Sequence, residues 1–154
     1  MMKRMIVLFA AAVALLCSCE KPDTVITGDS PEYSGVMTVV YEGDSFEQSG
    51  VKVLVGFNED RTMLDIKLCK VKFVPSMPVR IDVTIMEVPV VEQEEGVWTF
   101  HADGVVPWAM GGKYDTYRVD ALEGTLTEKS VDFELGFYNT KKNENYPTSY
   151  SGTR

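Results

Sequence analysis

The chain has 154 residues, 45% hydrophobic and 25% charged, with 15 Lys and Arg against 23 Asp and Glu, a formal charge of −8. That length suffices for one domain with a real core. The acidic balance repels phosphate backbones and so argues against a nucleic-acid partner.

The chain opens on Met1-Met2-Lys3-Arg4, a short basic start, followed by an almost unbroken apolar run from Met5 to Leu16. This is the order of a secretory signal. The run falls short of the ~20 residues that span a bilayer as a helix. Next comes Leu16-Cys17-Ser18-Cys19. Lipoprotein processing needs a small residue just before the modified cysteine and a Leu-like residue three before it. Cys19 meets both conditions; Cys17 would follow the bulky Leu16. The segment resembles a bacterial lipobox, so residues 1–18 are expected to be a signal peptide and Cys19 the lipid attachment site. Two or more palmitate-like chains, at ~0.8 kcal/mol per buried methylene, hold a protein firmly on its membrane. The expected address is the bacterial cell envelope, at the outer membrane, on its periplasmic or surface face.

Removal of residues 1–18 leaves 136 residues (154 − 18), and 13 cations against 23 acids give −10. Such a charge disfavours anionic lipid heads, so membrane residence rests on the acyl chains. With Cys19 acylated, Cys69 has no disulfide partner and reads as a small buried hydrophobe. One histidine, His101, and one free cysteine make no zinc site of the usual kind. The acidic run Glu92-Gln93-Glu94-Glu95 lacks the spacing of a calcium loop and reads as a solvated turn. No metal and no cofactor is expected.

Residues 19–32 form the lipidated tether; beyond the cysteine they are rich in Pro, Asp, Thr, Gly and Ser, which predicts a flexible link. From Tyr33 the signal is strand after strand, at about 33–41, 49–58, 62–73, 79–91, 96–103, 116–127, 130–139 and 146–154. Val51, Val53, Val55 and Phe57 alternate with Lys52, Leu54, Gly56 and Asn58, and Val131 to Phe137 alternate in the same way. Period two predicts strands with one face to a core and one to water. The links are short, which joins antiparallel neighbours. Two strands change phase midway. Leu64, Ile66 and Leu68 give way to Cys69, Val71 and Phe73; Val79 to Ile85 give way to Val88 and Val90. A phase switch is what a β-bulge produces, and bulges bend long strands around small barrels. Residues 33–154 therefore predict an all-β domain, an eight-stranded antiparallel up-and-down β-barrel, with a sandwich as the alternative. The one long link, residues 104–115, holds Trp108 and Met110, as a plug of one barrel end or as a lid over a cavity.

The lipobox, the polar tether, the strand opening Tyr33-Ser34-Gly35, the run Phe73-x-x-x-Met77-Pro78-Val79 and the run Leu122-x-Gly124-x-Leu126-Thr127 together resemble the calycin-like β-barrel lipoproteins of Bacteroidetes. The resemblance covers residues 33–154 and implies a lipocalin-like eight-stranded barrel. It supplies no catalytic residues. The lipocalin Gly-x-Trp motif is missing, since Gly35 is followed by Val36 and Met37.

Three functions follow for such a domain. The first is binding of a small apolar ligand, with Trp98, Phe100, Trp108, Met110, Tyr117 and Phe133 lining or covering a cavity; an interior void above ~300 Å³ is its requirement. The second is a solid-cored structural or protein-interaction lipoprotein, with Tyr138, Tyr146 and Tyr150 either on a contact surface or closing the last strand pair, and the partner unknown. An enzyme ranks last and is not expected: no nucleophile motif or phosphate loop is present, and only acid pairs such as Asp103 with Asp115 or Glu123 offer acid–base chemistry.

Overall fold

The computed structural model describes residues 24–154; Cys17, Cys19 and the expected signal peptide lie outside the described residues. Ten strands follow in order: β1 (Glu32–Tyr41), β2 (Asp44–Phe57), β3 (Met63–Val71), β4 (Ile81–Glu94), β5 (Val97–Ala102), β6 (Trp108–Ala109), β7 (Gly112–Lys113), β8 (Tyr117–Thr127), β9 (Ser130–Asn139) and β10 (Glu144–Thr153). Eight of them pair antiparallel with their neighbours in the order β1-β2-β3-β4-β5-β8-β9-β10, and β10 returns to β1. The domain is thus a closed up-and-down barrel, which leaves no long edge for another chain to pair with. The sandwich alternative is set aside by the β3–β4 and β1–β10 pairings, which close the ring.

β2 starts five residues earlier than the expected position 49. Tyr41 pairs directly with Asp44, and the two residues between them, Glu42 and Gly43, both have positive φ. That is the tight turn whose twist matches a hairpin, so pairing begins at once although Asp44 to Glu47 do not alternate cleanly.

Both expected bulges are present, at the predicted phase switches. In β4, Met86 and Glu87 oppose the single residue Asp65; in β3, Cys69 and Lys70 oppose Asp82. Glu87 and Lys70 take positive φ (57° and 52°), a left-handed conformation that costs an ordinary residue energy. In each case the aspartate across the bulge accepts the displaced amide: Glu87 N–H donates to Asp65 Oδ1 and Lys70 N–H to Asp82 Oδ1, both at 2.9 Å. A further bulge in β8 gives no phase signal strong enough to read beforehand. Ala121 has φ of 51° there, and its N–H donates to Asp103 Oδ1 at 2.9 Å. At these three bulges a short carboxylate thus replaces the forfeited ladder bond.

Inside the ring, side chains fill the space in three tiers. Phe57 and Trp98 sit at one end, 4.9 Å between centroids. Phe100, Phe133 and Tyr150 form the middle, with Phe133 and Tyr150 stacked at 5.2 Å. Phe73, Tyr114, Tyr117, Phe137, Tyr146 and Tyr41 close the other end. Two glycines make room for the middle tier. A Cβ on Gly124 would collide with the Phe100 ring, and one on Gly152 would collide with the Tyr150 hydroxyl.

The two ends differ in their links. The turn end carries residues 58–62, 95–96 and 128–129. The loop end carries 42–43, 72–80, 103–116 and 140–143. Within the longest link, β6 and β7 form a small hairpin that pairs with β4 through Trp108 and Thr84. The region expected as one open connection is therefore partly sheet.

Candidate functional site: the barrel interior and its two ends

The six aromatic and methionine positions expected to line or cover a cavity do not meet around one space. Phe100 and Phe133 face each other in the middle tier, ring centroids 6.3 Å apart, and are buried. Tyr117 belongs to the loop-end cluster, 4.4 Å from Phe73. Trp98 sits at the turn-end rim against Phe57. Trp108 is half-buried on the β6–β7 hairpin, outside the buried core cluster. Met110 is 72% exposed at the hairpin tip, where it and Gly111 form a two-residue turn with positive φ. It covers nothing. The hairpin extends the sheet beside β4, Val105 ahead of it bridges to Val119 of β8, and the same link packs Ala109 and Tyr114 against the core at the loop end.

The interior is closed by residues not expected to line it; Tyr146 and Tyr150, weighed for a contact surface, are buried in the core, and Tyr138 alone of the three stays partly exposed. Phe73, fully buried, packs tilted against Phe137 with ring centroids 4.1 Å apart. Its position in the Phe73-x-x-x-Met77 run was the available signal, because the Phe73 N–H donates to Met77 Sδ and pins that link. Tyr150 donates its hydroxyl to the Val51 carbonyl (2.9 Å), and Tyr33 donates to the Thr127 carbonyl (2.9 Å). Burial raises the phenol pKa of Tyr33, Tyr117, Tyr146 and Tyr150, since a phenolate would lose its hydration. For Tyr146, the Glu144 carboxylate that accepts its hydroxyl at 2.7 Å adds to the rise. Every buried side-chain nitrogen or oxygen among the described residues has a hydrogen-bond partner.

Open depressions lie on the outside and at the turn end. One spreads over outward-facing positions of β5, β8, β9, β10 and β1, including Thr99, His101, Glu123, Thr125, Glu134 and Ser149. The turn-end depression, about 590 Å³, is walled by Tyr33, Phe57, Trp98 and Leu126 together with residues of the 25–31 segment. Arg61 lies across its aromatic floor, 5.2 Å from the Phe57 ring and 5.7 Å from the Trp98 ring. Among the described residues, Arg61 and Arg154 enter no ion pair; the three pairs present are Lys52–Glu32, Lys67–Asp82 and Arg118–Asp120.

Residues 24–31, which the composition marks as tether, are seated on the barrel. Asp65 is the reason. Its Oδ2 accepts the Thr24 hydroxyl at 2.8 Å and the Val25 N–H at 3.1 Å, while Oδ1 holds the β4 bulge. Gly56, beside Asp65, lets the Val25 carbonyl lie against the strand where a Cβ would not fit. No signal marked Asp65, because an acid at an outward position of a half-buried strand is ordinary.

Asp103 holds the Ala121 bulge, and Glu123 stands opposite Glu134 across β8 and β9. The Cys69 thiol is pushed up, by burial first and by the Asp82 charge second, which leaves it protonated and unreactive at neutral pH. Among the described residues no three His, Cys, Asp or Glu converge as metal ligands, and no helix is long and apolar enough to cross a membrane.

No family model matches the chain, and no curated protein or solved structure matches it.

Proposed function

We propose that this chain is a lipid-anchored lipoprotein of the bacterial cell envelope, a relative of the calycin-like barrel lipoproteins, that works through its outer surface and not through internal cargo. The observation that carries the second half is the three-tier filling of the barrel by rings, from Phe57 and Trp98 to Phe73 and Phe137. An eight-stranded ring has just enough room for its own side chains or for one small ligand, and here the side chains take it. The first half rests on Lys3-Arg4, the apolar run and the Leu16-Cys17-Ser18-Cys19 segment.

Two measurements test it. Labelled palmitate fed to the host should enter the wild type and the Cys17→Ala protein but not Cys19→Ala; equal labelling of Cys19→Ala sinks the anchor. Native mass spectrometry of residues 20–154 purified from the host should show the bare mass. A small molecule that co-purifies one to one would restore the cargo reading. That reading now has one location, the turn-end depression on Phe57, Trp98 and Leu126, where an apolar compound would displace Arg61 from the rings and change Trp98 fluorescence.

A further inference from the structure

We infer that the turn end of the barrel is its membrane face, docking Trp98, Phe57 and Arg61 on the zwitterionic lipid headgroups of the bilayer that holds the acylated Cys19. The inference deepens the anchor reading above and depends on it.

Reach is the first argument. The chain is clamped to the barrel at Thr24, because Asp65 fixes the Thr24 hydroxyl and the Val25 amide. Only residues 20–23 separate that point from Cys19. A chain extends at most ~3.3–3.6 Å per residue, so Cys19 lies within about 18 Å of Thr24. Asp65 pairs with Gly56, one rung from Phe57, the last residue of β2 at the turn end. The loop end is more distant. From Asp65 to Phe73 the strand and its continuation run eight residues, about 26 Å at ~3.3 Å each, or roughly 20 Å along a barrel axis tilted by about 40°. A tether freely spanning 19–32 would let either end touch the bilayer; one clamped at residue 24 favours the turn end.

Chemistry is the second argument. Trp98 is half-exposed beside Phe57 at the turn-end rim. An indole with an apolar body and one N–H suits the headgroup layer. Arg61 lies on those rings without a carboxylate partner among the described residues, so its guanidinium is available to a phosphate. Around it the turn end carries Glu59, Asp60, Glu94, Glu95 and Glu128 against the cations Lys129 and Arg154, a net acidic rim. Such a rim repels a net-negative surface, which selects headgroups that present phosphate together with a cation.

The molecule has two tryptophans, and they report on opposite ends. Trp98 is at the turn end; Trp108 pairs with Thr84, near the loop-end start of β4. The test uses the full acylated protein in phosphatidylcholine vesicles containing a headgroup nitroxide, with Trp108→Phe and Trp98→Phe as the single-tryptophan forms. Intact mass verifies the acyl chains, and circular dichroism verifies the fold. The expected result is at least twofold stronger quenching of Trp98 than of Trp108. Adding anionic lipid should lower the Trp98 quenching, and Asp65→Ala, which frees Thr24, should narrow the gap between the two. Equal quenching, or stronger quenching of Trp108, in protein whose mass shows the acyl chains overturns the orientation and leaves the anchor standing. A mass without acyl chains overturns both.

Discussion

The two ends of the barrel use aromatic rings in opposite ways. At the loop end six rings interlock, with Phe73 at the centre and fully buried, and the long links fold over them. At the turn end two rings, Phe57 and Trp98, meet at the rim, half-covered, with a guanidinium on top instead of a loop. One end is a core that happens to lie near the surface. The other stops short of sealing, and what it leaves outside is amphipathic. Stability is therefore concentrated at the loop end and surface chemistry at the turn end.

The sharpest way to break this comparison is to empty each end in turn. Phe73→Ala removes the hub of the loop-end cluster and should cost about 3–5 kcal/mol in urea unfolding, whereas Phe57→Ala, at a rim that water already reaches, should cost roughly half as much. Equal losses would mean that the ends are energetically alike. Next is Asp65→Ala. It leaves the amides of Val25 and Glu87 and the Thr24 hydroxyl without their acceptor, at about 2–3 kcal/mol. Hydrogen exchange should show Val25 and Glu87 losing protection before the middle of β9 does.

Alkaline pH probes the rings themselves. The folded pKa of Tyr146 is raised by burial and by Glu144, so its contribution to stability is complete below the unfolded value of 10.0 and is lost as pH rises beyond it, because the unfolded chain releases the proton first. Thermal stability should fall as pH passes above 10.0, and Tyr146→Phe should make that decline shallower. A smaller effect, of opposite sign, is expected at the bulges. Ala121→Gly relieves the positive φ and should stabilise by about 0.5–1 kcal/mol, with Asp103 still accepting the amide. Smallest is Met110→Ala at the exposed hairpin tip, within about ±0.5 kcal/mol by the same unfolding assay.

The strands, the ring and two of the bulges could be read in the sequence because period-two alternation and its phase slips are local signals. Val51 to Phe57 announces β2, and the shift from Leu68 to Cys69 announces the Lys70 bulge. The start of β2 was hidden by a turn type set by φ at Glu42 and Gly43, not by hydropathy. The β6–β7 hairpin was hidden because two-residue strands have no period to show. The contents of the barrel were illegible for a different reason. Trp98, Phe100, Tyr117 and Phe133 look alike as inward aromatic residues, and whether they line a void or fill one depends on Phe57, Phe73 and Tyr150 from strands far away in sequence. Asp65 was invisible as a clamp because its partners Thr24 and Val25 lie about forty positions earlier, and no periodicity links them.

The seam between β1 and β10 also governs the order in which the molecule can assemble. Ser34 pairs with Thr153, and Gly35 crosses Gly152 so closely that a Cβ on Gly35 would strike the Ser151 carbonyl. Every other long strand pairing joins neighbours along the chain; this pair alone joins the first strand to the last, and it must wait for β10. Until then β1 and β9 present raw hydrogen-bonding edges, the surfaces on which nascent β proteins cross-pair and aggregate. Closing so wide a loop is slow. The folding barrel thus has a vulnerable interval between the emergence of β9 and the capture of β10, and β10 acts as its latch.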